Sequence, residues 1–213
     1  MFWTISLCLL LVGLLFFEAK DSQVGRWCLK PLTSATFVAL ACEFALHQEG
    51  PQRWVFWGLI LGFLGDVLLI PKSKPIFLLG LVSFLLGHVA YIGAFVVYGT
   101  DILFCAASLA VLVPIGVKIF LWLKPHLPTN FLLPVLAYVV TICLMVAAAF
   151  GYISAPKGLM LFVAATLFWL SDICVARQRF MQPEFINKAI GLPLYYAAQL
   201  LFVWAHASSD ATF

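Results

Sequence analysis

Apolar residues dominate this chain in eight long runs, each bounded by charges, proline or glycine. They are Phe2–Phe17, Pro31–His47, Trp54–Ile70, Ile76–Tyr98, Asp101–Leu123, Phe131–Phe150, Gly158–Ala176 and Lys188–His206. A membrane-spanning helix needs roughly 17–25 mainly apolar residues, and these runs meet or approach that length. The connections are short, so neighbouring helices are expected to run antiparallel. The pattern predicts an all-α polytopic membrane bundle of eight transmembrane helices, with residues 1–213 forming a single transmembrane domain. The first run lacks a basic residue before Lys20 and ends at Phe17-Glu18-Ala19, which suits a retained span better than a cleaved signal peptide.

Composition agrees. Of 213 residues, 64% are hydrophobic and only 10% are charged, against about 45–50% and roughly 25% in soluble domains. Net charge is +3, but the cations are scattered through the loops, so no basic stripe suited to nucleic acid is present. The six cysteines show no metal or redox spacing. Five lie in apolar runs and are expected to pack as small apolar residues, and Cys28 is expected in a loop.

Loop charge sets the orientation. The connections 1–2, 3–4, 5–6 and 7–8 collect ten Lys and Arg, including Lys20, Arg26, Lys30, Lys72, Arg177 and Lys188. The other face has only Arg53 and Lys157. The positive-inside rule then places both termini outside. A four-plus-four parallel repeat is a further expectation, since Gly65-Asp66-Val67-Leu68-Leu69 and Ser171-Asp172-Ile173-Cys174-Val175 occupy matching places in spans three and seven.

Ionisable residues within spans are costly and mark function. Asp66 and Asp172 each precede the end of their run by four residues, ~6 Å along a helix. Two carboxylates at one depth make a plausible shared site. Gly58, Gly62 and Asp66 share one helix face, a small-residue stripe that should turn Asp66 into the bundle. Tyr195 and Gln199 share a face of the eighth span, ~10 and ~16 Å from Lys188. His88 lies midway along the fourth span, near Tyr91, and Lys30 stands at the start of the second. Together they predict a polar pocket opening to the inner leaflet. Alternatives stay open: an intramembrane Asp can serve packing alone, Tyr195 can belong to an interfacial belt, and Lys30 can be an orientation anchor.

Taken together, Lys30-Pro31-Leu32, Gly65-Asp66-Val67-Leu68-Leu69, Gly87-His88-Val89-Ala90-Tyr91, Ser171-Asp172 and Tyr195-Tyr196-Ala197-Ala198-Gln199-Leu200 resemble the YhhN-like lysoplasmalogenase family. The resemblance runs from about Lys30 to Phe202. It implies an eight-helix membrane enzyme that cleaves the vinyl ether of lysoplasmalogens to a fatty aldehyde and glycerophosphocholine or glycerophosphoethanolamine. It carries the catalytic role onto Asp66 and Asp172, and substrate binding onto Lys30, His88, Tyr195 and Gln199. No metal or cofactor is implied, and the partners are a lysophospholipid and membrane lipids.

That chemistry suits paired carboxylates. A vinyl ether resists base but opens when its β-carbon is protonated, giving an oxocarbenium ion that water captures. One carboxyl must stay protonated, which burial and a like-charged neighbour favour. The other stabilises positive charge or activates water, a division resembling glycoside hydrolysis. Asp172 is expected as the acid and Asp66 as its partner. A proton-coupled transporter using the acids as a relay is the alternative. The expected location is a bacterial plasma (inner) membrane, otherwise the endoplasmic reticulum.

Overall fold

A computed structural model describes residues 2–45, 50, 52–71 and 73–207. It is all-helical, with eight long helices and no strand among the described residues: α1 (Phe2–Ala19), α2 (Gln23–Ala45), α3 (Gln52–Leu68), α4 (Lys74–Tyr98), α5 (Ile102–Leu123), α6 (Leu132–Gly151), α7 (Gly158–Phe180) and α8 (Phe185–Ala207). The end of the second run at His47 and the loop cation Lys72 lie outside the described residues.

Each apolar run became one helix, but the helices overrun the apolar limits where polar residues continue them. α2 begins at Gln23, about two turns before Pro31, so Cys28 and Lys30 are helical and the loop expected at Cys28 is not observed. Pro31 is accommodated inside that helix. α7 continues beyond Ala176 to Phe180. Asp172 is therefore eight residues from its helix end while Asp66 is two from Leu68, and the equal distances from helix ends do not hold.

Five helices, α1, α4, α5, α6 and α7, are long and apolar enough to cross a membrane. α2 carries Arg26, Lys30 and Glu43, and α8 carries Lys188. α3 has 17 residues, ~26 Å of helix against a hydrocarbon core of ~30 Å. The outer surface is apolar: Leu9, Val12 and Phe16 on α1 and Val111, Val117 and Leu121 on α5 are exposed, which a soluble monomer would not tolerate over so wide an area. α5 is peripheral, burying only Leu112, Gly116 and Leu123.

α4, α6 and α8 are the most buried helices. α3 packs closely on α4 and α7 on α8. A Cβ on Gly87 would lie 3.3 Å from the Gly58 carbonyl, so α3 and α4 approach almost backbone to backbone. The Gly58–Gly62 face then admits side chains from elsewhere. A Cβ on Gly58 would meet the Tyr91 ring, and one on Gly62 would meet Gln199 Nε2 at 2.7 Å and the Tyr195 hydroxyl at 3.1 Å. The α7–α8 turn is fixed by Arg177, which donates to Asn187, Gln182 and Glu184.

Candidate active site

A cavity of about 520 Å³ is lined from the C-terminal parts of odd-numbered helices and the N-terminal parts of even-numbered ones. Such a volume falls in the ~300–1,000 Å³ range of small-molecule sites. Asp66, Asp172, Lys30 and Tyr195 all line it. Its apolar wall includes Leu81, Ile119, Val135, Ile142 and Trp169. The cavity thus joins a charged region to an apolar one, the shape an amphiphile requires.

Asp66 has both carboxylate oxygens engaged. Lys30 Nζ is 3.2 Å from Oδ1, and the Ser34 hydroxyl donates to Oδ2 at 2.6 Å. Lys30 and Ser34 are one turn apart on α2, so a single helix face delivers both. Tyr196, fully buried, lies 3.0 Å from the Ser34 hydroxyl. Tyr195 also faces Asp66, yet its buried hydroxyl closes no hydrogen bond.

Asp172 is held differently. Tyr138 of α6 donates to Oδ2 at 2.9 Å, and His88 Nε2 lies 3.2 Å from the same oxygen and 2.9 Å from the Tyr138 hydroxyl. Oδ1 has no protein partner among the described residues. His88 is fully buried and its Nδ1 is unpartnered. A protonated imidazole would leave a buried, charged N–H unsatisfied there, a costly state. The neutral ring with its proton on Nε2 fits, donating into the Tyr138–Asp172 pair. Phe168 packs edge-on against the His88 ring, 4.7 Å between centroids.

Four of the six residues singled out in the sequence therefore share the cavity. His88 stands behind Asp172. Gln199 is fully buried and accepts from the Tyr91 hydroxyl at 2.7 Å, with Nε2 unpartnered and facing Gly62. Sequence reasoning missed Ser34, Tyr138 and Tyr196. Ser34 carried a signal, the one-turn spacing from Lys30, and Tyr138 was a lone tyrosine in an otherwise apolar run. It also missed Glu18, Arg26 and Lys188 at the cavity's edge.

An all-helical bundle with a lipid-compatible surface and two carboxylates on one cavity defines an integral membrane protein with a polar site within its helices. The YhhN family model matches residues 25–206, and the chain belongs to the YhhN family. It is similar to the lysoplasmalogenases of Mycobacterium bovis and Mycobacterium tuberculosis, each 31% identical over 187 residues, spanning 83% of this chain and 70% of the relative. Lysoplasmalogenase TMEM86A of Bos taurus is 28% identical over 176 residues, spanning 78% of this chain and 70% of the relative. No solved structure matches it.

Proposed function

We propose that the protein is a lysoplasmalogenase, an alkenyl ether hydrolase that cleaves the vinyl ether of a single-chain alkenyl phospholipid by acid catalysis between Asp172 and Asp66. The observation that carries this is the placement of two carboxylates in dissimilar settings on one amphiphile-shaped cavity. The family membership and the names of the relatives support the same reaction.

In this mechanism Asp172 donates a proton from Oδ1 to the β-carbon of the vinyl ether. Its side chain is 16% exposed, against 3% for Asp66, so Asp172 is the more accessible to substrate. The electron pair of the double bond forms the new C–H bond, and the ether oxygen shares the resulting positive charge. Water adds to the cationic carbon and gives its proton to a carboxylate. The hemiacetal then breaks to a fatty aldehyde and a glycerophospho product. Asp66, paired to Lys30, supplies fixed negative charge near the oxocarbenium ion. Tyr138 and His88 orient Asp172, and Lys30 also faces the incoming head group. Tyr195 presents its hydroxyl on the Asp66 side for glycerol oxygens or water, and Gln199, fully buried outside the lining, stands against Gly62 beside it.

The layout proposed for this reaction is eight spans with both termini outside and Asp66 and Asp172 in the matching third and seventh helices. Arg26 and Lys30 of α2 and Asn187 and Lys188 of α8 are among the polar residues that line the cavity. On this layout the site lies at the cytoplasmic interface, at the depth of the vinyl ether of a lysolipid in that leaflet. A carrier would instead hold its site near the midplane. Bacterial plasma membrane remains the proposed location.

Hydrolysis in D2O provides the test. Aldehyde released from 1-alkenyl-lysophosphatidylethanolamine by the purified protein should carry one deuterium on the carbon next to the carbonyl. Release of aldehyde without that deuterium would exclude carbon protonation, and no release by folded protein would exclude the hydrolase.

A further inference from the structure

Three charged residues at the cavity edge take no part in the reaction just described. Glu18, at the end of α1, accepts from Lys188 Nζ of α8 at 2.7 Å and lies 3.1 Å from Arg26 Nε of α2. Both contacts fall on one oxygen, Oε2. The Glu18 and Arg26 side chains are 7% and 9% exposed and that of Lys188 is 24% exposed. All three line the cavity that holds Asp66 and Asp172.

Two cations share this one buried carboxylate. Arg26 also pairs with Asp21, whose side chain is largely exposed. On the cavity side two cations thus face the single carboxylate of Glu18, the second carboxylate on Arg26 being the exposed Asp21, so an anion entering there meets net positive charge. Donors remain for it. An ammonium has three N–H groups and a guanidinium five. Lys188 uses one on Glu18, while Arg26 donates through Nη2 to Asp21 and its Nε, 3.1 Å from Glu18, closes no hydrogen bond. A planar guanidinium beside an ammonium suits a phosphate group, which both side chains bind well. Among the described residues, the cavity lining near this cluster also carries Lys30, which is paired to Asp66.

We propose that Arg26 and Lys188, held in place by Glu18, form the subsite for the phosphodiester of a single-chain phospholipid. Glu18 is a positioning residue: it fastens the first helix to the second and the eighth and aims both cations into the cavity. This inference rests on the lysolipid hydrolase reading and adds to it a head-group site on α1, α2 and α8, away from the α6–α7 side that carries Asp172.

Binding of non-hydrolysable lipids to the intact protein in detergent tests it. The probes are 1-O-alkyl-glycerophosphoethanolamine and phosphate-free 1-O-alkylglycerol, titrated calorimetrically. Wild type should prefer the phospholipid. Lys188→Gln and Arg26→Gln should each weaken phospholipid binding about 10-fold, as expected for losing a charge-assisted hydrogen bond, and leave alkylglycerol binding unchanged. Glu18→Gln should narrow the same preference. If Arg26→Gln does not fold, Lys188→Gln, the most exposed of the three, carries the test alone. An unchanged preference in Lys188→Gln, or equal loss for both probes, would overturn the proposal. So would displacement of the lipid by millimolar inorganic phosphate, the mark of a free-phosphate site. Aldehyde release from the alkenyl analogue is measured on the same preparations. Its absence with the preference intact would remove the hydrolase and leave the head-group site standing.

Discussion

The two carboxylates of the cavity are alike in sequence context and unlike in company. Asp66 has a lysine on one oxygen and a serine on the other, while Asp172 has a tyrosine and a histidine on one oxygen and, among the described residues, nothing on its second. A carboxylate with a cation beside it and both oxygens filled suits a permanent negative charge. A carboxyl held on one side by neutral donors, with the other oxygen open to the cavity, suits proton transfer. Two similar Asp-containing segments can thus be given different roles by the helices that face them: α2 and α8 for Asp66, α4 and α6 for Asp172.

The comparison breaks first at the acids. Asp172→Asn should lower aldehyde release by about 10²–10⁴-fold, the usual contribution of a general acid, with little change in lipid affinity; kcat and KM measured separately check this. Stability should discriminate in the other direction. Asp66→Asn leaves the Lys30 ammonium, 12% exposed, without its partner and should destabilise the fold by about 3–5 kcal/mol. Asp172→Asn should cost less, because neutral partners are left behind. Denaturation of both variants in the same detergent decides the order, and Lys30→Met added to Asp66→Asn should recover part of the loss.

Next in size is Tyr138→Phe, which removes one hydrogen bond to Asp172 and retains the ring. Loss of a bond to a charged group is worth about 1.5–3 kcal/mol, so kcat should fall by roughly 10- to 100-fold while phospholipid binding stays put. A matching change in KM instead would place Tyr138 on the substrate. The smallest effect is expected at Gly62→Ala. Its new methyl would press on Gln199 Nε2 at 2.7 Å, the end of a side chain that can shift, at about 1–3 kcal/mol in stability. Activity should drop only a few-fold, measured as initial aldehyde release.

Much of this site was legible in the sequence because an ionised group inside a span is too costly to be accidental. Asp66 and Asp172 stood out for that reason, Lys30 by its place at the mouth of the second span, and the glycine stripe turned Asp66 inward, where it is buried. Ser34, Tyr138 and Tyr196 were missed, the first two despite a weak signal in the sequence. Serine and tyrosine are common in membrane helices, and only the packing of α2, α6 and α8 brings these three to the carboxylates. Glu18, Arg26 and Lys188 were hidden for another reason: a charge at the end of an apolar run reads as a boundary or an orientation signal. The same habit shortened α2 and α7, whose polar turns are helical and line the cavity.

The most direct measurement is aldehyde release from 1-alkenyl-lysophosphatidylethanolamine and its choline analogue by folded wild type, Asp66→Asn and Asp172→Asn side by side. Paired-carboxylate catalysis predicts turnover by the wild type and its loss in both variants, with lipid binding retained in Asp172→Asn. Turnover that survives both substitutions would contradict it.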